Sequence, residues 1–190
     1  MAAEASVTRT ALASRSLASV VLVVWGWVAL VAGGVGLIGG CAGPIRGPRA
    51  EALRISQLGH VGDARHQASM RLVVEGLDAE LASAPQRALS RYERAIQIDP
   101  GNPFAYLVLA RYYAALADSE RALQHLDRAQ SLLDPSTAVY RDAEPHLLGL
   151  RGWAFAAAGR LADAAPLLAE ARRLAPSVWG DGRLEASELR

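Results

Sequence analysis

The sequence contains no lysine; every one of its twenty basic Lys/Arg positions is arginine. Cysteine occurs once, at Cys41, which excludes an intramolecular disulfide and a cysteine-rich metal site. Asparagine also occurs once, at Asn102. β-branched residues thin out after residue 75, which argues against an all-β fold. An excess of basic charge is missing too: outside the first 40 residues, 18 Arg face 18 acidic residues. A protein that grips nucleic acid by neutralising phosphates carries a basic surplus, so nucleic acid is excluded as a partner. No Gly-x-Ser-x-Gly, phosphate loop, Gly-x-Gly-x-x-Gly or His-Glu-x-x-His is present. The expectation is a protein that is not an enzyme and holds no cofactor.

What is present is alanine (38) and leucine (27), both helix formers, in a chain of 190 residues. The fold class expected is all-α. Residues 16–45 carry no charge, unlike the rest of the chain. A polar start with Arg9 and Arg15, an apolar stretch from Leu17 and a glycine-rich exit have the pattern of a secretory signal peptide. The exit, Ile38-Gly39-Gly40-Cys41, resembles the lipobox of bacterial lipoproteins. That resemblance implies a lipid (palmitate-type acyl chains) on Cys41, cleavage before it, and a membrane anchor of two or three chains, enough for stable attachment. Ala42 after the cysteine implies sorting to the outer membrane in a Gram-negative cell. The alternative is an uncleaved N-terminal helix held in the inner membrane, since Leu17 to Ile38 reaches the ~20 residues that span a bilayer.

Three segments, ending Ile98-Asp99-Pro100, Leu133-Asp134-Pro135 and Leu174-Ala175-Pro176, look alike. Working back, the middle one reads Tyr106-x2-Leu109-Ala110-x2-Tyr113, then Ala122-x3-Leu126, Ala129 and Pro135. The third reads Leu148-x2-Arg151-Gly152-x2-Phe155, then Ala164-x3-Leu168, Ala171 and Pro176. The first reads Leu72-x2-Glu75-Gly76-x2-Ala79, then Ala88-x3-Tyr92, Ala95 and Pro100. Gly76, Ala110 and Gly152 lie 34 and 42 apart, as do Ala88, Ala122 and Ala164. The pattern resembles the tetratricopeptide repeat, whose period is ~34 residues. The resemblance implies a solenoid of about three helical hairpins. Small residues at Gly76, Ala110, Gly152, Ala88, Ala122 and Ala164 let paired helices approach closely.

The organisation expected is 1–40 as signal peptide or anchor, 41–62 as tether and short pre-helix, 63–178 as the repeat array, and 179–190 as a C-terminal tail. The repeats run about 69–102, 103–136 and 145–178. Helices are expected near 64–82, 86–98, 103–116, 119–133, 145–158 and 161–174, with the eight surplus residues near Ser136–Glu144 as a longer loop or extra turn. Trp179 is expected to cover the end of the last repeat.

In the repeat family the first helix of each hairpin lines a concave groove that holds a peptide or a partner helix. Carried over residue by residue, the resemblance implies a partner-binding groove at Met70, Val73 and Leu77, then Phe104, Leu107 and Arg111, then His146 and Trp153, with Gly149 between these two. A carboxylate clamp built from Asn and Lys is excluded, because the chain has no Lys. The function implied is a membrane-tethered scaffold or adaptor in the bacterial cell envelope, an accessory subunit of an envelope, secretion, pilus or export assembly, binding a protein partner. The alternative is an envelope-localised metal-dependent hydrolase using His60, Asp63 and His66, a three-and-three spacing that a helix half-satisfies as a ligand set.

Overall fold

Five of the six long helices of the repeat region start where the sequence supplies a cap or a proline. The computed structural model describes residues 53–59 and 62–190; the apolar segment 17–38, Cys41 and His60 lie outside the described residues. A 3₁₀ turn, Ile55–Leu58, precedes helix α1, Ala64–Leu81. Asp63 caps α1 by accepting the His66 N–H at 2.8 Å, satisfying an amide that has no partner within the helix. Helix α2, Pro85–Ile98, and helix α3, Pro103–Ala115, open on proline, whose missing N–H costs nothing in the first turn. Asp118 caps α4, Ser119–Leu132, and Thr137 caps α5, Ala138–Ala157. Helix α6, Leu161–Leu174, is followed by two single-turn helices, α7 at Pro176–Trp179 and α8 at Ala186–Leu189. No strand occurs among the described residues, and none of their helices is long and apolar enough to cross a membrane.

The helices pair as hairpins, α1 with α2, α3 with α4 and α5 with α6, and the hairpins stack so that α1, α3 and α5 stand side by side. Close approach inside the hairpins falls at small residues. A methyl group built on Gly76 would overlap the ring of Tyr92 on α2. One built on Gly152 would press on the side chain and backbone of Leu168 on α6, 2.8 and 3.1 Å away. Ala110 is buried, as are Ala88, Ala122 and Ala164 on the second helices.

The three hairpin turns are superposable in their hydrogen bonding. Ala84, Asp118 and Arg160 donate their N–H to the carbonyls of Ala79, Tyr113 and Phe155 at 2.8, 2.9 and 2.9 Å, while Ser83, Ala117 and Gly159 bond to Glu80, Ala114 and Ala156. This is the paired closure of a Schellman turn, and it puts one residue in the left-handed region. Those residues are Ser83 and Ala117, both at φ 58°, and Gly159 at φ 76°. Only the last has the residue that this conformation favours.

The repeat pattern and the structure part company at α5. The helix starts at Ala138, not near Pro145, so the surplus residues form two further turns rather than a loop. Proline normally marks a helix start, but Pro145 sits inside α5, and Pro166 inside α6. The Thr137 hydroxyl accepts the Tyr140 N–H at 3.2 Å and supplies the earlier start, while Ala143 and Pro145 are buried against the stack. Tertiary packing here outweighs the local cost of an interior proline.

A left-handed alanine carries a steric cost of about 1–2 kcal/mol that glycine avoids, partly offset by glycine's freer unfolded chain. Ala117→Gly is therefore expected to stabilise the protein by about 0.5–1 kcal/mol in urea denaturation, and Gly159→Ala to destabilise it by a similar amount. Equal midpoints for all three proteins would contradict the turn geometry.

Candidate functional site

The row formed by α1, α3 and α5 presents the positions expected to form a groove, and the chain itself fills it. Met70, Val73 and Leu77 on α1 are completely buried; Phe104, Leu107 and Arg111 on α3, and His146 on α5, are 5% exposed or less. Trp153 is half-buried. The chain itself covers the positions expected to line a groove: all but His146, Arg111 and the half-buried Trp153 belong to one core cluster together with Leu53, Ile55, Trp179, Leu184, Ala186 and Leu189.

The physical reason is the path of the C-terminal segment. After α6 the chain turns through α7 and lays the Trp179 ring directly on Gly149 of α5, where even a methyl group would overlap the indole. Trp179 is fully buried and lies 6.4 Å from the His146 ring. Trp179 thus covers the last repeat as a core residue, seated on α5. The chain then runs back across the row until α8 packs against α1. There Arg190 pairs with Asp78 at 2.5 Å, and the Ser56 hydroxyl donates to the Arg190 carbonyl. The 3₁₀ turn also packs on α1, so both flanking segments meet over the first helix. Residues 179–190 thus pack on the stack, with a helical turn at Ala186–Leu189.

Arg111 does not face a partner. Its guanidinium pairs with Glu80 of α1, whose other oxygen accepts the Tyr92 hydroxyl at 2.5 Å. Burial first, then the Glu80 charge, pushes the Tyr92 hydroxyl well above the usual phenol range, so it acts as a hydrogen-bond donor at neutral pH. The triad ties the first hairpin to the second. A second buried polar bridge does the same: Asn102 donates from Nδ2 to Ser69 Oγ at 2.9 Å, Ser69 donates to the Ala95 carbonyl, and Asn102 Oδ1 caps α3 at Phe104. The chain's one asparagine therefore joins α1, α2 and α3.

One part of the row remains open. A cleft of about 430 Å³ lies between the C-terminal ends of α3 and α5, lined by Ala114, Trp153 and Ala157 and roofed by Asp181 and Arg183, with Arg172 at its side. On the outer face, Tyr113 stacks on His125 at 5.4 Å with Arg121 4.3 Å above the tyrosine ring. Burial, then Arg121, holds His125 below the ordinary imidazole range, so its ring is uncharged at neutral pH and the Arg121 guanidinium carries the cluster's charge.

The metal-site alternative finds no support in the geometry. Asp63 is spent on the α1 cap, and His66 Nδ1 lies 2.7 Å from Asp99 Oδ2 on the far end of α2. Among the described residues no group of three or more His, Cys, Asp or Glu is arranged to hold a metal ion. His60 lies outside the described residues.

The helix pairing and the spacing of small residues agree with a comparison against known families. Residues 81–144 match the tetratricopeptide repeat family. The matched span takes in α2, α3, α4 and the start of α5, the centre of the repeat stack. No curated protein matches the chain.

The repeat pattern places Gly149 on the inner face but does not reveal what lies on it: Leu184, Leu189 and Ser56, with Asp78 receiving Arg190. A signal was available. Glycine inside a helix costs roughly 1 kcal/mol relative to alanine, so Gly149 in the middle of α5 calls for a neighbour that needs the space.

Two outcomes follow for stability. Arg111→Ala leaves the part-buried Glu80 without its partner and is expected to cost about 2–4 kcal/mol, whereas exposed Arg160→Ala should change stability by under ~1 kcal/mol; urea denaturation of both variants checks this. Burial lowers His146 to about 4. The folded form thus binds its proton less readily than the unfolded form, so its contribution is full above pH 6.5 and is lost as pH falls through about 4. Wild type should lose on the order of 3 kcal/mol more stability than His146→Leu over that window. Parallel pH profiles would contradict the buried, neutral imidazole.

Proposed function

We propose that the protein is a non-enzymatic, membrane-tethered scaffold of the bacterial cell envelope, whose repeat stack binds another protein. The observation that carries this reading is the stack of three hairpins with close contacts at Gly76 and Gly152, matched over 81–144 to a family of protein-interaction repeats. Tethering is supported by the sequence alone: the uncharged run 16–45 ends in Ile38-Gly39-Gly40-Cys41, the one cysteine of the chain. Lipid on Cys41, with the outer membrane as destination in a Gram-negative cell, is the reading favoured here, ahead of an uncleaved inner-membrane helix.

The reading also places the array at a short distance from the bilayer. Residues 42–52 offer about a dozen positions between the proposed lipid and Leu53, and an extended chain covers at most ~3.5 Å per residue. A scaffold held so close meets partners at or in the same membrane, which fits an accessory subunit of a secretion, pilus or export assembly.

Intact-mass spectrometry of the protein from membranes tests the tether. A mature chain beginning at diacylglyceryl-Cys41 is expected, and a mass that retains residues 1–40 without lipid would replace the lipoprotein reading with the uncleaved anchor. Crosslinking in the same membranes tests the scaffold: crosslinks from the repeat stack to one recurring envelope protein are expected, and crosslinks confined to the chain itself would contradict it.

A further inference from the structure

The inner face of the stack is occupied by the chain's own C-terminal segment. We propose that residues 176–190 are a displaceable internal ligand, and that the partner is a protein segment of the same chemistry: an aromatic ring for the seat at Gly149, aliphatic anchors for the α1 and α3 face, and a basic side chain for Asp78. This rests on the scaffold reading above and adds to it what the face recognises and what stands in the way.

The segment has the anatomy of a bound peptide rather than of a further hairpin. Its two helices are four residues each, far too short to persist alone. Its buried side chains, Val178 with Trp179, then Leu184, Ala186 and Leu189, alternate with exposed residues such as Gly180, Asp181, Arg183, Glu185 and Ser187. Its polar ties are few: the Arg190–Asp78 pair and the bonds from Ser56 and Arg172 to its carbonyls. The seat of the largest anchor is imperfect. Trp179 Nε1 and His146 Nδ1 are both buried there without a hydrogen-bond partner. Burying polar atoms unpaired opposes docking, so a partner that supplies the missing donor or acceptor beside the ring has an advantage over the internal segment. The Arg111–Glu80–Tyr92 triad and the Asn102 bridge, which hold the first two hairpins together, do not involve residues 176–190.

A tethered competitor acts at an effective concentration in the millimolar range. The internal segment therefore sets a threshold, admitting only a partner that combines several anchors, and it keeps an apolar face covered until that partner arrives.

The test uses the full chain and a labelled synthetic peptide of residues 176–190. In hydrogen exchange, backbone amides of 184–190 in wild type are expected to exchange at least tenfold faster than those of α3 and α4. The variant Trp179→Ala/Leu184→Ala should keep the protection of α3 and α4 and bind the peptide at least tenfold more tightly than wild type. Adding Gly149→Ala, which fills the seat of the peptide's Trp179, should abolish that gain. The proposal is overturned if the double variant loses protection across α1 to α6, because the segment is then part of the core. It is equally overturned if the double variant stays protected and binds the peptide no better than wild type, or if Gly149→Ala leaves the gain intact. All readouts are on purified protein, so they stand apart from the membrane crosslinking: an absent envelope partner would defeat the scaffold reading without altering peptide affinity.

Discussion

The structure depends on backbone approaching side chain without an intervening Cβ. At Gly76 the ring of Tyr92 occupies the space of the missing methyl, and at Gly152 Leu168 does so. These contacts set the hairpin spacing, and the spacing in turn decides whether α1, α3 and α5 form a continuous row. The same device appears a third time at Gly149, but between α5 and the C-terminal segment. Close packing of this kind tolerates no added volume, because the interior has the density of a crystal and relaxes only partly.

Much of this was legible in the sequence, for a definable reason. Helices α1 to α4 follow from local signals, caps at Asp63, Asn102 and Asp118 and prolines at 85 and 103, and α6 from the small residue recurring at repeat spacing. Such signals depend on neighbours within a turn or two. The N-terminal extension of α5 was harder to read because Pro145 imitates a start signal, and only the buried positions of Ala143 and Pro145 override it. The site was the least legible part. A repeat pattern specifies which side chains point to the inner face, but not what lies on it. Met70, Val73 and Leu77 have the composition of a binding surface and of a covered core alike. What distinguishes the two is a contact between residues more than a hundred positions apart, such as Arg190 with Asp78.

Arg111 shows how the distinction matters. An arginine among apolar residues on an inner face resembles an interface anchor, yet here it satisfies Glu80, which in turn holds the Tyr92 hydroxyl. That arrangement joins two repeats through the same tyrosine that covers Gly76. Charge, aromatic packing and the absent side chain form one joint, so the interface between the first two hairpins behaves as a single unit. The last hairpin is joined to the second by a more exposed tie, Arg151 of α5 to Asp127 and Gln130 of α4 at 2.7 and 2.9 Å, and it is there that the C-terminal segment begins its return across the row.

The account stands or falls on where the indole of Trp179 lies. Proton NMR of the full chain gives the most direct answer. The account predicts nuclear Overhauser contacts between the Trp179 ring protons and the Gly149 α protons, with the latter shifted well upfield by the ring current. Gly149 α protons at ordinary helix positions, together with Trp179 resonances characteristic of an exposed indole, would contradict it.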